Sequence, residues 1–167
     1  MRQPKGLRSI ILASPVINTH RWIADCTAYR ALLPQDVQEV LDKHEADGSV
    51  LDDAYQDAVM VFYKRHLCRC EPWSWEVARA FELFNHDLYQ AMWGPAEFTS
   101  NGILKDYDGD TRLHQIAVPT LYTCGEHDEA TPAVRPQARR LLVGRARILQ
   151  NDNSGQIQAS FRGSDSP

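Results

Sequence analysis

Residues 116–132 read IAVPTLYTCGEHDEATP, an apolar run of strand length followed by three acidic residues within four positions. The run IAVPTLYTC is continuous rather than alternating, as expected of a strand buried on both faces in a parallel sheet. In open α/β sheets, functional side chains sit just past the carboxyl ends of such strands. Glu126, Asp128 and Glu129 occupy that place. Burying charge there is costly unless the charge is paired or used. One use is to orient a histidine in a triad of serine, histidine and acid. Two simpler readings stand beside it: Asp128 caps a helix that starts near Thr131, or all three acids form a solvated turn.

Downstream, AVRPQARRLL (133–142) reads as a short helix and ARILQN (146–151) as a further strand. Upstream, LRSIILAS (7–14) is another short apolar run, bounded by PKG and SP, and reads as a buried strand. Between these runs the pattern is helical. The spacing predicts helices over 22–33, ended by Pro34, and over 35–46, where Val37, Val40, Leu41 and His44 share a face and Gly48 supplies the stop. A longer helix is predicted from 52 to about 70, with Tyr55, Val59, Phe62, Tyr63, His66 and Leu67 on one stripe. Ser74 reads as the N-cap of WEVARAFELF, and HDLYQAMW as a further short helix. Residues 94–110, rich in Gly, Asp and Asn, read as loop. Strands alternating with helices argue for the α/β class, but about three strands around a large helical insert look like part of a sheet.

Composition excludes several classes. In 167 residues, the hydrophobic fraction of 43% and charged fraction of 24% are those of an ordinary globular domain. A net charge of -4 gives no footprint for nucleic acid, and RPQARR reads as one face of a helix. No apolar run approaches the roughly 20 residues that cross a bilayer, so no membrane partner is expected. The start shows no secretory signal, and Cys26, Cys68, Cys70 and Cys124 lack a framework spacing, so free thiols in a cytoplasmic protein are expected.

Other candidate sites are weak. HLCRC brings His66, Cys68 and Cys70 together, but C-x-C without a second pair is a poor zinc signal, and no metal is expected. Ser14 lacks the flanking glycines of a nucleophile elbow and reads as a strand end; Ser154 in NSG has the same weakness. His127 reads as a surface residue beside Asp128. Asp106 and Asp108 in KDYDGD lack the spacing of a calcium loop and read as solvated.

Four stretches, QPKGLRSIILASP, FYKRHLCRCEPW, MWGPAEFTSNGILKDYD and RLHQIAVPTLYTCGEHDEATP, together resemble the proline iminopeptidases. These are serine aminopeptidases of the α/β-hydrolase fold that remove N-terminal proline from peptides, and the resemblance runs from about Gln3 to about Leu149. It implies a partial α/β-hydrolase, with residues 1–16 as a core strand, 17–100 as an inserted helical cap, 101–150 as the C-terminal part of the core and 151–167 as a divergent, disordered tail. It further implies that Asp128 is the triad acid and that Glu129 and Glu97 bind the free amine of the substrate. Paired carboxylates suit an ammonium through charge-assisted hydrogen bonds. Trp93 and Phe98 are candidates for the apolar face against the proline ring. Water is the second substrate, and no cofactor is required.

The resemblance is incomplete at both ends. An α/β-hydrolase needs a G-x-S-x-G elbow, then the acid, then the histidine. No G-x-S-x-G occurs here, and His20, His44, His66, His86, His114 and His127 all precede Asp128. Gly155 or Gln156 stands where the resemblance places histidine. The expectation is a C-terminal fragment that begins after its nucleophile and has lost its histidine, with little activity alone. Its shortened sheet is expected to aggregate, to self-associate or to need a complementing N-terminal half. Alternatives are another α/β-hydrolase, such as an epoxide hydrolase or esterase, or a non-catalytic product of a truncated or split gene.

Overall fold

The computed structural model describes residues 4–129 and the backbone of the strand at 146–151. Three parallel strands, β1 (Ile10–Ala13), β2 (Thr120–Gly125) and β3 (Ala146–Asn151), lie in the order β1-β2-β3. Ile10 is level with Thr120, and Thr120 with Ala146. Inserted between β1 and β2 are α1 (Thr19–Arg30), α2 (Gln35–Asp47), α3 (Asp53–His66), α4 (Trp75–Glu82), α5 (His86–Met92) and the single turn α6 (Asp110–Leu113). The α/β class, the strand at 146–151 and the helical insert are as the sequence predicts. The helix read at 133–142 and all of the tail after Asn151 lie outside the described residues.

Element boundaries differ from the predicted ones for local reasons. Strand β1 is four residues long, because Gly6, at φ 95°, opens a turn that the Leu7 N–H closes on Pro4, and because Ser14 turns away at φ 42°. Helix α1 begins three residues early: Asn18 is in extended conformation, and its side chain accepts from the Arg21 N–H at 3.1 Å. Helix α2 ends as predicted, with Gly48 in the left-handed region. Helix α3 stops at His66, where the N–H groups of Leu67 and Cys68 both turn onto the Tyr63 carbonyl.

The stripe of α3 faces the core as the periodicity requires: Tyr55, Ala58, Val59, Phe62 and Tyr63 are buried, together with Trp22, Cys26 and Leu41 of α1 and α2. Fully burying a side chain such as Phe62 or Leu41 is worth about 2 kcal/mol. On β2, Thr120, Tyr122 and Cys124 are buried and the alternate residues partly so, which is the environment of a central parallel strand. Strand β1 forms the edge of the described sheet, and its Ile11 is 64% exposed.

The region 94–110 is ordered by specific bonds rather than left as a solvated loop. The Trp93 carbonyl accepts from both Asn101 and Gly102 N–H groups. Gly94 is required there, since at φ 150° a Cβ would lie 2.2 Å from the Thr99 carbonyl oxygen. The two ends of the insert are stapled together: Gly109 N–H donates to the Ile17 carbonyl, and Thr19 N–H to that of Tyr107. Asn18 Nδ2 donates to Asp108 at 3.1 Å and to Asp110 at 3.3 Å, and Arg21 pairs with Asp110. Asp108 therefore closes the stem of the insert, where the sequence suggested only a solvated acid. Closing the stem lets one helical block ride between two adjacent strands. Among the described residues no helix is long and apolar enough to cross a membrane.

Candidate functional site

The carboxyl ends of β1 and β2 lie side by side, and each is followed by a tight departure of the chain. After β1, Ser14 is held at φ 42° while its N–H continues the ladder onto the Thr123 carbonyl. A positive φ costs a non-glycine residue of order 1 kcal/mol or more. What the conformation achieves is a 2.5 Å hydrogen bond from Ser14 Oγ to Asp128 Oδ2, across 114 residues of sequence. Asp128 Oδ2 also accepts from the Gly125 N–H at 3.2 Å, so the carboxylate folds back over its own turn.

Of the three acids, Glu126 is exposed, Asp128 half-buried and Glu129 only 4% exposed. Asp128 and Glu129 line a cavity of about 310 Å³ with Glu97, Ser14, Val16, Trp22, His66 and Leu67. Two core strands and the helical insert thus each contribute part of the wall. Glu97 is placed by the loop after α5 and accepts from Tyr89 Oη at 2.7 Å. Burial and the nearby Glu97 keep the Tyr89 phenol protonated, so it serves as donor. Burial raises the Glu97 carboxyl, opposed by the hydrogen bonds from Tyr89 and from Glu129, which shares a proton with it. Glu129 is pushed up further, first by burial and then by the charges of Glu97 and Asp128. Glu129 Oε1 is buried and finds no hydrogen-bond partner among the described residues, and neither does the indole Nε1 of Trp22 in the same wall. A buried acceptor left open beside a second carboxylate suits a cationic ligand with several donors.

Trp93 and Phe98 are buried but do not line this cavity. Trp93 packs edge-on against Trp22 of the wall, and Phe98 against Phe62 in the core. Sequence reasoning passed over Ser14 and His66 as members of the site. The signal for His66 was present, as the last polar position on the buried stripe of α3. Its Nδ1 lies 3.1 Å from the backbone oxygen of His127, which joins the helical insert to the acidic turn. Cys68 and Cys70 do not join it in a metal site, and among the described residues no group of three metal-ligating side chains forms.

A second cavity, of about 250 Å³, adjoins the first through their shared residues Leu67 and Glu97, and Phe81, Phe84, Tyr63 and Met60 give it an apolar lining.

No family model matches the chain. It is 38% identical over 133 residues to a proline iminopeptidase of Heyndrickxia coagulans, covering 79% of this chain and 46% of that relative. A proline iminopeptidase of Saccharolobus solfataricus is 31% identical over 158 residues, covering 94% and 51%. Among solved structures, the crystal structure of VinJ superposes with a TM-score of 0.82 at 39% identity. The proline iminopeptidase of Mycobacterium smegmatis superposes with a TM-score of 0.74 at 32% identity. Each of these two structures matches 89% of this chain, which in turn covers 51% of the structure. In sequence and in fold, the chain is a relative of the proline iminopeptidases, which are α/β-hydrolases, and it spans about half the length of the relatives it matches.

Proposed function

We propose that this chain carries the amine-recognition and acid elements of a prolyl aminopeptidase, an enzyme that hydrolyses the first peptide bond of a substrate with N-terminal proline. In this reading Glu97 and Glu129 hold the substrate's ammonium, Asp128 orients a catalytic histidine, and Trp93 and Phe98 support the wall that faces the proline ring. Residues 17–100 serve as a cap over a core drawn from 1–16 and 101–150. Hydrolysis in this reading also needs a nucleophilic serine and a triad histidine, and the residues given roles here supply recognition and the acid. A cytoplasmic setting goes with this reading, supported by four cysteines that form no disulfide among the described residues.

The observation that carries the proposal is the open, buried Glu129 Oε1 beside Glu97 in a cavity that also contains Asp128. A neutral epoxide or ester gives no reason to bury two carboxylates side by side. An ammonium does, because it discharges both and supplies their missing donors. Titration calorimetry of the chain with L-prolinamide tests this. Binding that disappears in both Glu129→Gln and Glu97→Gln is expected. Binding untouched by either change, or no binding at all, overturns the assignment.

A further inference from the structure

We infer that His66 is a third acceptor of the amine site, so that the site holds a primary N-terminal ammonium with one more hydrogen bond than it gives an N-terminal proline. This rests on the amine-binding role proposed for Glu97 and Glu129.

The argument starts from the ring's surroundings. His66 ends α3, where its imidazole stacks on Tyr29 at 4.1 Å between centroids and 13° between planes, with Phe62 at 4.9 Å on a tilted approach. These aromatic contacts fix the plane of the ring. Its Nδ1 faces the carbonyl oxygen of His127, which can only accept, so the proton of the neutral ring resides on Nδ1. The other nitrogen, Nε2, then carries the lone pair. Burial, together with the positive charges of Arg65, His127 and Arg69, lowers the affinity of the ring for a second proton, partly offset by the His127 carbonyl. Tyr29, Phe62, Arg65, Arg69 and His127 are the groups that surround it, and the carboxylates of Asp128, Glu129 and Glu97 share its cavity.

Counting donors gives the consequence. The ammonium of an N-terminal proline is secondary and has two N–H donors, which Glu97 and Glu129 satisfy. Any other N-terminal residue presents three. His66 lines the same cavity of about 310 Å³ as both glutamates, and with Nδ1 taken by the His127 carbonyl, Nε2 is the ring atom left to accept the third donor. The ligand class is therefore extended from prolyl peptides to peptides and amides with a primary α-amine, and His66 is the residue that senses the difference.

The test compares L-alaninamide with L-prolinamide in calorimetric titrations of the intact chain. His66→Asn keeps a donor for the His127 carbonyl and removes the Nε2 acceptor. It is expected to weaken alaninamide about tenfold, the worth of one hydrogen bond to a charged donor, and to leave prolinamide within about twofold. His66→Gln, which can return an oxygen near the place of Nε2, should recover part of the loss. In the unmutated chain, ¹⁵N resonances of His66 should show Nε2 responding to alaninamide and not to prolinamide, a readout that needs no variant to fold. Equal weakening of both amides by His66→Asn, or no response at Nε2, overturns the inference and leaves His66 as a tie between α3 and the acidic turn. If Glu129→Gln abolishes both amides while His66→Asn spares both, the glutamate site stands and the role of His66 fails. If the unmutated chain binds neither amide, both fall together.

Discussion

Glu45 in the helical insert is partly and Glu129 beyond β2 almost wholly removed from solvent, and their surroundings treat them in opposite ways. Glu45 Oε2 receives Arg30 Nη1 at 2.8 Å, while its Oε1 accepts from Tyr55 Oη at 3.0 Å and Thr99 Oγ1 at 2.7 Å. Arg30 is itself completed by Asp42 and by the face of Phe98, 5.0 Å from the ring centroid. Every strong acceptor site there has a protein donor. Glu129 has a second carboxylate beside it and an oxygen with no donor among the described residues. Physics permits both, but only the first contributes to stability as it stands. The second lowers stability until something brings a positive charge and donors. A carboxylate that the fold completes ties helices together; one that it leaves open stays available to a donor from outside.

Breaking the completed site should have the largest effect. Arg30→Met leaves Glu45 without its counter-charge, and a loss of about 3 kcal/mol in a urea unfolding experiment is expected. The same kind of change at the open site should act in the other direction. Glu129→Gln is expected to raise stability by about 1 kcal/mol at pH 8, because it removes an acid whose ionised form is disfavoured by burial. An equal loss in both variants would erase the distinction drawn between them.

Acidity sharpens the contrast. Because the Glu129 carboxyl holds its proton more tightly in the folded chain than in the unfolded one, the folded state binds more protons above the ordinary carboxylate value of 4.5. Stability should therefore fall as pH rises from about 4.5 through the raised folded value, and the fall should shrink in Glu129→Gln. A melting temperature that rises over this range, or an unchanged slope in the variant, contradicts the assignment. The smallest effect concerns the neighbour of the site. Ser14→Gly and Ser14→Ala both lose the bond to Asp128, but only glycine relaxes the positive φ, so glycine should be the more stable of the two by about 1 kcal/mol.

Much of this was legible along the chain. The apolar runs at 7–14 and 116–124 announced strands, but only β2 is covered on both faces; β1, read as a buried strand, leaves Ile11 64% exposed because it lies at an edge of the described sheet. The stripe from Tyr55 to Leu67 announced a helix and the face it would bury. Asn18 was missed because one short side chain serves three partners, two of them some 90 residues away. The region 94–110 read as loop because its order comes from single backbone bonds and one glycine, which leave no periodicity. Trp93 and Phe98, candidates for the apolar face of the site, pack on Trp22 and Phe62, since an aromatic residue near a site in sequence can equally well serve the core.

By itself, the sequence determined the class of fold and the place of the acidic turn at the end of a strand, because these depend on hydrophobic pattern and chain order. Only the tertiary structure decided which acids meet. Glu97 reaches Glu129 through a loop 32 positions away, Ser14 reaches Asp128 from the adjacent strand, and His66 arrives from a helix whose stripe had only announced its burial. Chain order sets which residues are available, but hydrogen bonds and cavities form between neighbours in space, and those neighbours are set by packing.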